Sequence, residues 1–232
     1  KIIHQAAAKA KNNPTAYPAF CRLHLNLRMR EQTRFLDIQR WDKCSGPVIR
    51  ASLRGRRAWG GLDLSAVSDF AAWACWVEPT RPGAELDLLV RFWLPEERAD
   101  ELEQRLMVPI RAWSRMGLIT LTDGDVIDYD AIEKSVLADC KHLDMQRISY
   151  DRMFAGQMTQ NIARETDVEV VPVAQTFLGL SSACKELERL VNAGAIRHGG
   201  HPILRWMADV VEVKNDGLDN IRPVKPDRKK SM

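Results

Sequence analysis

Two aspartates carry the strongest chemical signal in the chain. Asp63 sits in Trp-Gly-Gly-Leu-Asp-Leu-Ser and Asp151 in Arg-Ile-Ser-Tyr-Asp-Arg, and each ends a short apolar run that reads as a buried strand. Packing does not explain a carboxylate there, because an unpaired buried charge costs several kcal/mol unless a cation or a donor compensates it. If the two strands are neighbours in one sheet, the carboxylates converge on a point where a divalent metal could sit. Ligands that are all oxygen favour Mg2+ or Mn2+. The chemistry expected of such a pair is metal-dependent phosphodiester hydrolysis.

Other chemistry-bearing residues are weaker signals. Asp69 lies six residues after Asp63, near the far side of a turn, and could face the same cleft. Asp123, Asp125 and Asp128 form a cluster whose length and lack of a terminal Glu do not match an EF-hand loop, so a solvated turn is expected. His198 and His201 flank Gly199-Gly200 and read as exposed imidazoles on a glycine turn. Trp73, Trp76 and Trp93 read as core.

The elements that must position these residues follow from pattern. Residues 1 to about 35 have helical spacing, broken at Asn12-Asn13-Pro14. Residues 36–57 lack a clear period and read as a connector. From Ala58 the pattern turns to strands: Trp59 to Leu64, Phe70 to Val77 and Leu86 to Trp93 are β-rich runs joined by turn residues, which predicts a three-stranded antiparallel meander. The stretch Glu96 to Trp113 reads as helix or excursion, followed by a short strand at Leu118 to Thr122. Tyr129 to His142 is an expected helix with Asp130 as N-cap and Glu133 in capping-box position. Strand Arg147 to Asp151, helix Ala155 to Glu165, strand Val168 to Pro172 and helix Leu180 to Ala193 follow. Leu204 to Val211 is a short apolar helix, and Asp216-Gly217 turns into Ile221 to Lys225. The class is α/β: a mixed β-sheet of three antiparallel strands and then α/β units, flanked by helices.

At 232 residues, 45% hydrophobic and 28% charged, the chain can bury a full-sized core. Its net charge of +3 is mild, but positive charge is uneven. Arg54, Arg56 and Arg57 fall in one basic stretch, and Lys225, Arg228, Lys229 and Lys230 in another at the tail; such flanks suit nucleic acid. Five scattered cysteines without zinc spacing fit a reducing compartment. No apolar run approaches the roughly 20 residues that span a bilayer, so no membrane partner is expected. The start Lys-Ile-Ile-His-Gln suggests a fragment of a longer chain, with residues 1–57 a helical leader and 58–232 the main domain. No Gly-x-x-x-x-Gly-Lys-[Ser/Thr] phosphate loop occurs.

Several motifs in order resemble one family. Ala-Lys-Asn-Asn-Pro, Phe20 to Asn26 and Trp41 to Cys44 look like a leader, Gly61-Leu62-Asp63-Leu64-Ser65 with Asp69-Phe70 like a first metal strand, and Tyr150-Asp151 like a second. Pro202 to Asp209 followed by Pro223-Val224-Lys225 looks like the approach to a last metal element. Together they resemble the nuclease half of the large terminase subunit of tailed bacteriophages, in the group similar to phage HK97, within the ribonuclease H-like superfamily. The resemblance implies a ribonuclease H-like fold and an endonuclease that cuts concatemeric double-stranded viral DNA with two Mg2+ or Mn2+ ions, which in two-metal sites stand about 3.5 to 4 Å apart. Asp63 would bridge both ions, Asp151 would hold one, and Asp69 would be an auxiliary ligand; the family's third carboxylate is expected beyond Met232. Partners implied are double-stranded DNA, an ATPase domain in the same polypeptide, the small terminase subunit and the portal. The setting implied is the bacterial host cytoplasm, outside the mature virion, with the isolated domain monomeric. The alternatives are another ribonuclease H-like nuclease, such as a junction resolvase, and a non-catalytic DNA-binding or capsid-docking module.

Overall fold

The computed structural model describes residues 34–64, 69–151 and 156–225, with Ala7 and His24 besides. The chain divides into two compact units, residues 1–34 and 35–232, and everything below concerns the second. The helical reading of residues 1 to about 35 lies, apart from Ala7, His24, Arg34 and Phe35, outside the described residues.

A seven-stranded mixed sheet organises the unit. Strands β1 (Arg57–Asp63), β2 (Ala71–Val77) and β3 (Leu86–Pro95) form the expected antiparallel meander. Their sequences show why: β2 alternates fully buried Ala71, Trp73, Cys75 and Val77 with half-buried residues, so both faces are covered. Past β3, helices α2 (Ala99–Leu106) and α3 (Ile110–Arg115) fill the stretch read as helix or excursion, and β4 (Thr120–Thr122) returns parallel to β3. Helix α4 (Tyr129–His142) crosses to β5 (Asp144–Tyr150), which pairs parallel with β1. Helix α5 (Gly156–Glu165) leads to the edge strand β6 (Glu169–Pro172). The order is β4-β3-β2-β1-β5-β6, with β7 (Ile196–Arg197) beside the start of β3. Between β6 and β7 runs α6 (Phe177–Asn192); α7 (Pro202–Val210) and a hairpin of β8 (Glu212–Asn215) and β9 (Ile221–Val224) complete the unit.

Three clusters share the core. On one face Trp73, Cys75 and Val77 pack with Ile132 and Val136 of α4 and Ile162 of α5. On the other, Phe92 and Leu94 meet Leu102, Ile110, Trp113 and Ile203. The third cluster joins Trp41, Cys44, Cys184, Val191 and Ala208. Residues 36–57 are thus more than a connector: Ile38–Lys43 is a helix, α1, capped by the Asp37 side chain, and its Trp41 is 2% exposed against α6 and α7.

Local chemistry departs from the sequence reading at two further places. The N-cap of α4 is Asp128, whose Oδ1 accepts from the amides of Asp130 (2.9 Å) and Ala131 (3.2 Å), so the helix begins two residues earlier than an Asp130 cap allows. Glu133 turns instead to Asn161 Nδ2 on α5, at 3.0 Å. His198 is no exposed turn residue: it is 3% exposed, its ring stacks on Trp41 at 4.3 Å, and its Nε2 lies 2.9 Å from the Trp41 carbonyl. His201 packs on Phe92 at 5.3 Å. The glycine turn holds Gly199 and Gly200 at positive φ and drives both rings inward, where aromatic contacts replace water. Trp73 and Trp93 are buried as expected. No helix among the described residues is long and apolar enough to cross a membrane.

Candidate active site

The register of two parallel strands brings the aspartates together. Gly61 pairs with Ser149 and Leu62 with Tyr150, so the next residues, Asp63 and Asp151, leave their strands side by side, and the Asp151 amide donates to the Leu62 carbonyl at 3.4 Å. A bulge in the β1–β5 pairing, between Ala58/Met145 and Trp59/Arg147, sets the alternation. Below it Leu62, Ile148 and Tyr150 belong with the α4–α5 cluster, so Asp63 and Asp151 take the opposite face. There Asp63 lies across from Ala72 of β2.

On that face a cleft of about 570 Å3 opens. Its acidic end holds Asp63 and Asp69, with Lys225 directly after β9; its walls are Phe70, Arg105 and Leu106, Trp206 and Met207 of α7, and Pro223 and Val224 of the hairpin. The Asp69 carboxylate is ion-paired with Lys225 Nζ and accepts from the Phe70 amide at 3.0 Å. The carboxyl of Asp63 is pushed above its ordinary value, first by desolvation and then by the negative charge of Asp151, while the positive charge of Lys225 opposes the rise. Two carboxylates that repel in this way are a site short of positive charge, and a cation beside them lowers the energy of both.

The donor set suits Mg2+ or Mn2+. Among the described residues, carboxylates are the metal-ligating groups at the sheet end and no imidazole or thiolate lines the cleft; Mg2+ is commonly held by one or two carboxylates, with water and phosphate completing the shell. Among the described residues no three His, Cys, Asp or Glu side chains form a complete metal cluster. Asp63 and Asp151 are therefore the residues that would hold such an ion, with Asp69 at the same cleft but engaged by Lys225.

Of the basic residues singled out, the structure brings Lys225 to the acids and leaves Arg54, Arg56 and Arg57 at the opposite end of β1, six residue steps and roughly 20 Å away. Arg56 is used internally: it reaches the Glu78 carbonyl and pairs with buried Asp87 at 2.8 Å. Arg57 covers the Trp59 ring at 5.3 Å. Arg228, Lys229 and Lys230 lie outside the described residues. The sequence reading missed Arg105, Trp206 and Met207 as neighbours of the site. The resemblance takes Pro202 to Asp209 as the approach to a metal element without naming Trp206 or Met207 as lining the site, and nothing local says that the helix wall meets Asp63 and Asp69.

Comparison with known proteins shows the family and the fold of the chain. A family model described as "Terminase large subunit, endonuclease domain" matches residues 1–231. The terminase large subunit of Enterobacteria phage HK97 is 27% identical over 221 residues, which is 95% of this chain and 43% of that protein. Protein YmfN of Escherichia coli (strain K12) is 26% identical over 226 residues, 94% of this chain and 50% of that protein. The chain spans about half the length of these curated relatives. The crystal structure of the HK97 bacteriophage large terminase has a TM-score of 0.74 at 28% identity, covering 94% of this chain and 45% of that one. The large terminase of a thermophilic bacteriophage, solved in complex with ADP, shares the fold at a TM-score of 0.51 and 8% identity, over 93% of this chain and 49% of its own. The ribonuclease H-like sheet expected from the sequence is the one found, and the chain belongs to the family of terminase large subunit endonuclease domains.

Proposed function

We propose that this domain is a Mg2+- or Mn2+-dependent endonuclease that cuts concatemeric double-stranded DNA during viral genome packaging, with Asp63 and Asp151 holding the cations and Asp69 as an auxiliary acid. The observation that carries this reading is the placement of Asp63 and Asp151 at adjacent strand ends on one face. Bound there, two divalent ions would activate a water for attack on phosphorus and stabilise the departing 3′ oxygen. The chain's own residues do the rest. Asp63 and Asp151 fix where cations reside, and the β1–β5 ladder fixes both carboxylates. Lys225 and Arg105 stand at the cleft as cationic contacts for backbone phosphates, which position a duplex without reading its sequence. Phe70, Trp206 and Met207 form apolar walls beside the acid end, which itself stays open to solvent and so to metal ions and a duplex.

Partners follow the same reading. The HK97 protein and the thermophilic-phage protein are both large terminases, and the second was solved in complex with ADP. An ATPase domain in the same polypeptide, a small terminase subunit and a portal are accordingly proposed partners, in the host cytoplasm. The test is nicking of supercoiled plasmid in Mn2+, Mg2+ and EDTA, beside Asp63→Ala and Asp151→Ala. Metal-dependent nicking lost in both variants is the expected result; EDTA-resistant nicking, or nicking retained by both variants, would overturn the assignment.

A further inference from the structure

The cleft beside Asp63 is more apolar than phosphate chemistry requires. Phe70, Leu106, Trp206, Met207, Val210 and Val224 line it, in one cavity of about 570 Å3 with Asp63 and Asp69. A backbone phosphate asks only for cations and hydrogen-bond donors. We propose that this apolar part is a nucleobase pocket: the nucleotide beside the bond to be cut leaves its stack, and its base lies in the cleft against the indole of Trp206. The proposal rests on the nuclease reading given above and adds the part of the substrate that the cleft takes in.

The pocket is formed before a substrate arrives. Trp206 is half-buried, and its ring is held by Phe70 at 5.9 Å and Trp113 at 6.1 Å, both tilted against it, so the part that lines the cleft has a fixed place. The helix that carries it, α7, is itself fastened: Arg205 pairs with Asp42 through Nε (2.7 Å) and Nη2 (2.8 Å), and Ile203 is fully buried. Gln175 is the uncharged polar side chain among the described lining residues. Its carbonyl accepts from Arg222 Nη1 at 3.2 Å, and the next residue, Thr176, caps α6 by accepting from the Gly179 amide at 3.1 Å. A side-chain amide both donates and accepts, so it can meet the edge of any base.

Size and charge fit the same occupant. A cavity of about 570 Å3 lies within the roughly 300–1,000 Å3 of pockets that bury a drug-sized ligand, and a nucleoside is of that size. Aromatic and hydrocarbon walls favour a flat ring over a second phosphate. Every base offers such a face, so stacking carries no sequence preference. Arg105 and Lys225 line the same cleft as cationic contacts for the phosphates that flank the base. Unstacking costs free energy, least where the base is already unpaired, mismatched or frayed. The domain therefore prefers positions where a base stands free, and stacking on Trp206 offsets the cost of opening paired ones.

Binding of short duplexes in EDTA, followed by fluorescence anisotropy, tests this without relying on catalysis. One duplex carries a single unpaired adenine bulge, and in a second an abasic sugar replaces that adenine. The wild-type chain should bind the adenine bulge about ten-fold more tightly than the abasic one, because both carry the same break in pairing and only one presents a base. Trp206→Ala should bring the ratio near one, and Trp206→Phe should keep most of it. Val210→Trp, which fills the cleft and leaves Trp206 in place, should also remove it. Near-ultraviolet circular dichroism checks that the variants keep the wild-type fold. In Mn2+ the wild type should cut beside the adenine bulge. Equal binding of the two bulges by wild type, a preference that persists in both Trp206→Ala and Val210→Trp, or cleavage placed without regard to the bulge would overturn this proposal and leave the nuclease reading standing. Plasmid nicking indifferent to Asp63→Ala would overturn the nuclease reading and the proposal with it.

Discussion

The indole of Trp73 fills the space that a side chain on Gly60 would need: a β-carbon at residue 60 would lie 2.1 Å from Cη2 of the ring. Gly60 is the middle residue of β1, and Trp73, on β2, is fully buried. The close approach lets a fully buried tryptophan pack against the strand that carries Asp63.

Gly60→Ala should therefore cost about 3 kcal/mol, the upper range for overpacking a filled core. Urea denaturation measures it. A loss below about 1 kcal/mol would mean that the indole shifts freely, contrary to its hydrogen bond from Nε1 to Asp139 at 3.1 Å.

The second prediction concerns Asp139 itself, a fully buried carboxylate beneath the sheet. Arg91 donates to it through Nε (2.8 Å) and Nη2 (2.9 Å), and Arg50 through Nη2 (2.6 Å). Burial alone would raise its pKa, but the hydrogen bonds from Arg91 and Arg50 together hold it below 3.8. Arg91→Met removes two hydrogen bonds and one of the two cations from this buried carboxylate, leaving it to Arg50 and Trp73, and should cost about 1.5–3 kcal/mol at neutral pH. Because the folded-state pKa is depressed, the contribution is complete above the unfolded value near 3.8 and is lost as pH falls through the folded value. Acid unfolding followed by circular dichroism should accordingly begin at higher pH in Arg91→Met than in wild type.

Asp63 behaves with the opposite sign. Its folded-state pKa is raised by desolvation and by Asp151, so the folded protein holds the proton more tightly than the unfolded chain does. Stability is present below the unfolded value of 3.8 and is lost as pH rises through the folded value. At neutral pH the metal-free protein is thus strained at this carboxylate. Asp63→Asn should melt at a higher temperature than wild type in EDTA, with the difference vanishing in acid. Added Mn2+ should raise the melting temperature of wild type and leave that of Asp63→Asn nearly unchanged. A variant less stable than wild type in EDTA would contradict the electrostatics described here.

His201 supplies a pH dependence nearer neutrality. Burial lowers its pKa below 6.5, partly opposed by a hydrogen bond to Leu118 and reinforced by the nearby His198. A depressed folded value means that the stabilising contribution is complete above about pH 6.5 and is lost as pH falls through the folded value. Melting temperature should decline as pH drops below about 6.5, and His201→Gln should decline less over the same interval.

Some of this was legible in the chain and some was not, and the division has a physical cause. Hydrophobic alternation and turn residues are local, so the meander of β1 to β3, the helix at Tyr129–His142 and the turn at Asp216-Gly217 could be read from neighbouring residues alone, whereas β8, the other half of that hairpin, was not read. Asp63 and Asp151 stood out because each ends an apolar run; the burial expected there is only partial, since the structure leaves Asp63 exposed and Asp151 half-buried at the strand ends. Which residues meet across the fold is a different kind of fact. The bulge beside Ala58, which puts both aspartates on one face, has no local signature. Arg56 and Lys225 are similar basic residues in sequence, yet one is spent on buried Asp87 and the other stands beside Asp69. His198 reads as a turn residue until Trp41, 157 positions away, is placed against it. Residue types and local spacing determined the elements and the chemistry they offer; the tertiary structure decided which charges are paired, which are buried and which remain at the cleft, because ion pairing and burial are set by neighbours distant in the chain.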